Sequence, residues 1–278
     1  MATRQPILGY IERDSLIHSL TGTTKLVMML VASLATMIGF DTRLLIAMLI
    51  ISIAVWIISK ISLKDLAVIM WIIVIFMILN NVLIFLFAPT YGVEIYQSRH
   101  DLIHLIGPYT VTAEQLFYQL NVTLKYFAVL PIALLFIVTT SPSEFASSLN
   151  RIGVPYRISY AVSLALRYIP DVQREFRDIS CAQQARGADI SRRVPLWTRI
   201  RNVTQVLIPL LLSSMQRIET ISTAMELRGF GRGSKRSWYR ARPLRSADWI
   251  AISLSLVLLG VAIALLVVNG GRFYNPFI

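Results

Sequence analysis

An all-α, polytopic membrane protein with about five transmembrane helices and a basic cytoplasmic helical domain is predicted for this 278-residue chain, and three observations predict it. First, 55% of the residues are hydrophobic and 15% charged, with a mean hydropathy of +0.63, outside the usual composition of a soluble globular domain. Second, the apolar residues gather into long runs. A helix needs ~20 of them to cross a ~30 Å hydrocarbon core, because lipid offers no partner to an unpaired peptide group. Third, the net charge of +12 is concentrated: residues 141–247 hold 18 of the 27 basic and 7 of the 15 acidic residues.

In chain order, residues 1–25 are mixed in charge, with Glu12 and Asp14 ahead of any apolar run and no small-residue cleavage site, so this segment is expected to be cytoplasmic and not a signal peptide. Residues 26–140 are expected to supply four spans. Leu26–Phe40 and Leu44–Ile58 are short apolar runs separated by Asp41, Thr42 and Arg43, which predicts a tight hairpin of two short or tilted helices. Leu66–Ala88 is longer, interrupted by Asn80 and Asn81. Leu116–Thr140 follows an outer loop, 89–112, and carries Asn121 and Lys125 near its start and Pro131 as an expected kink. Residues 141–247 form the basic domain, and 248–278 hold the last span, Trp249–Val268, and an outer tail. One topology suits every connection under the positive-inside rule. With the N-terminus inside, Lys60, Lys64 and the basic block fall in the cytoplasm, and Glu94 and Asp101 fall outside against Arg99. A basic block flanked by apolar spans points to this placement and not to nucleic acid.

Within the block, Ile169, Val172, Phe176 and Ile179 recur at the three-and-four spacing of one helical face, and Leu207, Leu211, Met215, Ile218 and Met225 repeat that design. Each amphipathic helix is expected to end in the same way, the first in Ala185, Arg186 and Gly187 and the second in Leu227, Arg228 and Gly229. A glycine there can take the left-handed conformation that stops a helix. These are also the ingredients of an ordinary helix C-terminus. Two such ends in one cytoplasmic block of a membrane protein favour a second use: a planar, five-donor guanidinium on a rigid helix end suits an acidic groove on a partner.

These two Arg-Gly ends resemble the paired motifs of the T components of energy-coupling factor transporters, the EcfT/CbiQ-like family. Further residues are similar to that family's pattern: Tyr10, Asp14, Ser15, His18, Leu20, Thr24, Lys25 and Leu26 before the first span, then Thr139 to Pro142, Arg151 to Pro155, Leu166 to Pro170 and Gln183 to Gly187. The outer loop 89–112 is longer than the family pattern. The resemblance implies a non-catalytic scaffold in a prokaryotic cell membrane, coupling ATP hydrolysis to uptake of a vitamin, its precursor or a metal ion. Its partners would be two ABC-type ATPase subunits, which bind the ATP and Mg, and a small membrane subunit that binds substrate. Ala185, Arg186, Gly187, Leu227, Arg228 and Gly229 would couple to the ATPases. Ile169, Val172, Phe176, Leu207, Leu211, Met215 and Ile218 would face the substrate-binding subunit, unless those faces pack on the chain's own helices.

Other signals carry less. No phosphate-binding loop ending in Gly-Lys-Ser/Thr is present, and Gly229, Gly231 and Gly233 follow a helix, the wrong context for a dinucleotide site. His100 and His104 have the spacing of a metal pair but lack a third ligand, and the single Cys181 implies no thiol chemistry. Arg192, Arg193, Arg199 and Arg201 are expected to meet anionic lipid, and Glu219 and Glu226 to pair with neighbouring arginines. Two competing functions remain: a self-contained permease using Asn80, Asn81, Asn121 and Lys125, and a membrane enzyme acting on anionic lipid or isoprenoid phosphates.

Overall fold

The computed structural model describes residues 13, 15–104, 109–191, 194–233, 237–238 and 241–277. Tyr10, Glu12, Asp14, Arg192 and Arg193, named above, lie outside the described residues. The elements run α1 (Leu16–Ser19), α2 (Gly22–Ile38), α3 (Thr42–Ser59), α4 (Ala67–Phe87), α5 (Tyr91–Tyr96), β1 (Asp101–His104), β2 (Thr110–Thr112), α6 (Ala113–Thr139), α7 (Pro142–Arg151), α8 (Tyr156–Ala185), α9 (Leu196–Leu227) and α10 (Ser246–Val268). They form two compact units, Met1–Ser141 with Arg242–Ile278, and Pro142–Ala241.

In the first unit, α3, α4, α6 and α10 are long and apolar enough to cross a membrane, and α2 is apolar but has 17 residues. At 1.5 Å per residue, 17 residues reach roughly 26 Å, somewhat short of a typical core. The expected hairpin of short spans is present: Asp41 caps α3 by accepting the Arg43 amide at 2.9 Å, so the polar trio ends one helix and starts the next. Pro131 sits inside α6 without ending it.

Packing among the spans follows the rule for helices in lipid, where close approach replaces hydrophobic expulsion as the source of cohesion. Ala32 and Ala35 of α2, Ala128 of α6 and Ala262 of α10 meet with Leu44 and Met48 of α3 in one core. By contrast, α4 buries Met77 alone, leaving Trp71, Ile72 and Phe76 for lipid or a partner.

Polar groups tie the unit together. Asp248, 1% exposed, accepts the Thr21 amide at 2.9 Å, the Thr24 hydroxyl at 2.7 Å and the Arg245 amide at 2.9 Å, joining the starts of α2 and α10. Buried Lys25 donates to the Thr139 carbonyl at 2.8 Å, fixing the end of α6 to the same stretch. Thr24 and Lys25, read in the sequence as part of a family pattern, are therefore structural staples. Three of the residues a permease would use for solute are engaged between helices. Asn81 donates to Thr123 at 3.2 Å, Asn121 accepts from Thr42 at 2.7 Å, and the Lys125 ammonium lies 3.8 Å from the centre of the Phe40 ring. The Asn80 side-chain oxygen is buried without a hydrogen-bond partner among the described residues.

The segment 89–112 departs from a purely helical chain. It holds α5 and an antiparallel hairpin, β1 with β2, in which Ile103 faces Val111 and His104 faces Thr110. The β-branched run Thr110–Val111–Thr112 favours extended backbone. His100 is the partner of a fully buried carboxylate: its Nδ1 lies 2.6 Å from Glu114 Oε1, and its amide donates to Oε2 at 3.1 Å. Among the described residues no three His, Cys, Asp or Glu are grouped to hold a metal.

The second unit is the helical pair α8 and α9, preceded by α7. Both long helices begin immediately after a proline, Pro155 or Pro195, whose fixed φ suits a helix start. They are longer than the periodicity alone predicted, 30 residues from Tyr156 and 32 from Leu196.

Candidate coupling site at two helix ends

Both helices stop by the same device. At the end of α8, Gly187 has φ +91, its amide donates to the Gln184 carbonyl at 3.0 Å, and the Ala188 amide donates to the Gln183 carbonyl at 3.0 Å. At the end of α9, Gly229 has φ +65, and the amides of Gly229 and Phe230 donate to the carbonyls of Glu226 and Met225, each at 2.9 Å. This paired pattern satisfies carbonyls that would otherwise lack partners and turns the chain sharply after the arginine. A side chain at Gly187 would meet no atom within 4 Å, so conformation and not space demands glycine there. Left-handed backbone costs an L residue ~1–2 kcal/mol, and a β-branched one more. Gly187→Val and Gly229→Val are therefore expected to lower the unfolding temperature in detergent while Gly→Asn at either site retains most of it.

The two motifs are displayed. Ala185, Arg186 and Gly187 are exposed, as are Leu227 and Arg228, with Gly229 half-buried. Leu227, 85% exposed, is an apolar side chain placed where water alone would not favour it.

How far apart the ends lie follows from the pairing of α8 with α9. Asn202, near the start of α9, donates to the Asp189 carbonyl at 2.7 Å, just past the first arginine. Val206 and Leu210 continue the buried face of α9, and Leu210 shares a groove with Val172 and Phe176 of α8. Farther along, Arg217 reaches Glu175 of α8 at 2.6 Å, and Ser213 donates to the same carboxylate. The helices thus run antiparallel. From Asn202 to Arg228 a helix advances on the order of 40 Å, which separates the two arginines by about that span.

Glu175 is the hinge pin of this pair, and sequence reasoning did not single it out. The expectation that Glu219 and Glu226 pair with neighbouring arginines is not met among the described residues; Arg217 turns across to α8 because Glu175 faces it there. Glu175→Ala removes the carboxylate that Arg217 reaches, leaving Ser213 its bond to the Leu210 carbonyl, and is expected to cost about 1–3 kcal/mol, read as a lowered unfolding temperature in detergent.

The two faces expected for a substrate-binding partner fare differently. On α8, Val172 and Phe176 are half-buried in the groove with Leu210, while Ile169 is 51% exposed. On α9, Leu207, Leu211, Met215 and Ile218 are all exposed, the last three above 60%. The row that packs on α8 is the adjacent one, from Asn202 through Val206, Leu210 and Ser213 to Arg217. Helix α9 is apolar on both rows, and the sequence alone does not say which is internal. Two other residues were missed: Asn202, whose signal is a polar side chain in the register of Val206 and Leu210, and Phe230, an aromatic directly after the second Arg-Gly.

Comparison with known proteins agrees with this architecture. The family model of CbiQ, cobalt transport protein, matches residues 13–239. A protein of Exiguobacterium sibiricum named energy-coupling factor transporter transmembrane protein EcfT is 32% identical over 195 residues, 67% of this chain and 72% of that protein. The protein of the same name from Bacillus selenitireducens is 28% identical over 267 residues, 93% of this chain and 96% of the relative. A protein of Bifidobacterium longum named as an ABC transporter ATP-binding protein is 28% identical over 168 residues, 58% of this chain and 21% of that longer protein. The class defined by fold and sequence is thus a multi-pass, all-α membrane transport protein. Within it, this chain belongs to the CbiQ family, of the energy-coupling factor type.

Proposed function

We propose that this chain is the non-catalytic scaffold of an energy-coupling factor importer, in which Arg186 and Arg228 each grip one ABC-type ATPase subunit. A separate small membrane subunit binds the substrate, a vitamin, precursor or metal ion, and rests against the exposed apolar row of α9. The observation that carries this reading is geometric. Two arginines stand on identical helix ends, exposed, about 40 Å apart, in one antiparallel helix pair. A guanidinium in an acidic groove makes paired, charge-assisted hydrogen bonds that a point charge does not reproduce. Closure of an ATPase dimer would pull on both ends, and the pair joined through Glu175 would carry that pull to the apolar surface of α9.

Two further observations support the reading. A stretch resembling this chain occurs inside the Bifidobacterium longum protein named as an ABC transporter ATP-binding protein, which supports a link between such a chain and ATP-binding subunits. The basic excess in 141–247 favours a cytoplasmic position for this unit, with the N-terminus inside and the C-terminus outside. ATP and Mg would be held by the partners. No site for either is formed by motif in this chain, whose part is to bind, orient and transmit.

The test is reconstitution. Purified alone in liposomes, the chain is expected neither to hydrolyse ATP nor to move solute; with its copurifying ATPases and substrate-binding subunit it supports ATP-dependent uptake. Turnover of ATP or transport by the isolated chain would overturn the assignment.

A further inference from the structure

The second arginine tip is seated in a cradle of aromatic side chains. Phe230, the residue after Arg228 and Gly229, lies 4.8 Å from the Tyr160 ring and 5.6 Å, edge to face, from Tyr156. Its neighbour Gly231 accepts Arg157 Nη2 at 2.8 Å. Farther along, Trp238 donates its indole N–H to Asn150 at 3.0 Å and lies 6.4 Å from the Tyr160 ring. All the receiving residues belong to one corner, the end of α7 and the first turns of α8. That corner has its own glycine stop: Gly153 has φ +110, and the amides of Gly153 and Val154 donate to the carbonyls of Asn150 and Leu149. The first tip is held differently, through hydrogen bonding of Asn202 to the Asp189 carbonyl.

We propose that Phe230 is a positioning residue for the second coupling site, docking the tip into the α7–α8 corner so that Arg228 is presented in a fixed direction. The inference rests on the reading that Arg228 grips an ATPase. Hydrogen bonds within the helix end fix the local turn. They do not fix where the turn points relative to the rest of the unit. Phe230 does both: its amide completes the helix stop, and its ring enters the cradle. A rotation of about 20° at this end would move a guanidinium by roughly 2 Å, enough to break paired hydrogen bonds that tolerate little misalignment. Ring stacking suits the task because aromatic pairs have preferred geometries and few rotatable bonds.

The experiment uses the intact complex in lipid nanodiscs, with the exposed Cys181 replaced by Ser and a spin label at Arg232→Cys or, near the first tip, at Gln184→Cys. Phe230→Ala is expected to raise label mobility at position 232 and leave 184 unchanged. It is also expected to shift docking of the tip about tenfold, the factor that losing two aromatic pairs predicts, and to lower uptake with it. Phe230→Tyr restores both, since the ring is kept; Phe230→Leu replaces Phe230→Ala if the alanine variant does not insert. Unchanged mobility at 232, equal loosening at both labels, or failure of Phe230→Tyr to restore would overturn the proposal. Loosening at 232 with undiminished uptake would leave Phe230 as the anchor of the tip and instead overturn ATPase docking at Arg228.

Discussion

Replacing Arg186 and Arg228 together by alanine is expected to abolish ATP-driven uptake while the protein continues to insert into the membrane. Both side chains are exposed at helix ends whose backbone is closed by its own hydrogen bonds, so truncation leaves each stop intact. On the proposed docking, the main loss falls on the partner interface. A hydrogen bond to a charged group contributes about 1.5–3 kcal/mol, so each single variant should weaken ATPase attachment by roughly ten- to a hundredfold. The double variant should lose more than either, because one remaining grip cannot convert closure of a dimer into relative movement of two ends. Lysine at either position is expected to recover only part, since an ammonium lacks the planar fork. Copurification of the ATPases and uptake into proteoliposomes measure the two quantities separately. Normal transport by the double variant would contradict the assigned role.

Asp248→Ala is expected to be the most destabilising single change in the membrane unit. Three donors converge on this buried carboxylate: the amides of Thr21 and Arg245 and the hydroxyl of Thr24. Removing it leaves all three without their acceptor, and a buried polar group so stranded costs about 1–3 kcal/mol. A total on the order of 3–5 kcal/mol is comparable with the loss of a buried ionic partner. Asp248→Asn should fall between, because one of its two terminal atoms becomes a donor facing donors. Thermal unfolding in detergent, followed by loss of the monodisperse peak, gives the ranking. A mild effect of the alanine variant would show that water reaches these groups.

The spans and the two Arg-Gly helix ends were legible in the sequence because each has a strong local cause. Long apolar runs leave lipid as their solvent, and the Arg-Gly pairs combine a left-handed requirement with a cation at a helix end. The short hairpin at Asp41 was readable for the same reason, three polar residues between two apolar runs. What the sequence concealed depends on the partner chosen across space. Nothing local distinguishes the row of Leu207, Leu211, Met215 and Ile218, which is exposed, from the row of Val206 and Leu210, which packs on α8. Glu175 is one of several charges on α8 until Arg217 and Ser213 arrive from α9. The β1–β2 hairpin went unread because strand β2 is three residues long, too short for an alternation to register. Thr24 and Lys25 were recognised only by resemblance; their use, binding Asp248 and the Thr139 carbonyl, appears with the fold.

Those two residues also govern how the chain leaves and rejoins its bilayer part. Thr139 precedes the departure into residues 142–241, Asp248 follows the return, and both are bound to the short stretch Thr21–Lys25. The insertion 142–241 is thus tied where it leaves and where it returns by side chains of the first unit. Sequence change between those two knots leaves the fastening of α2, α6 and α10 untouched.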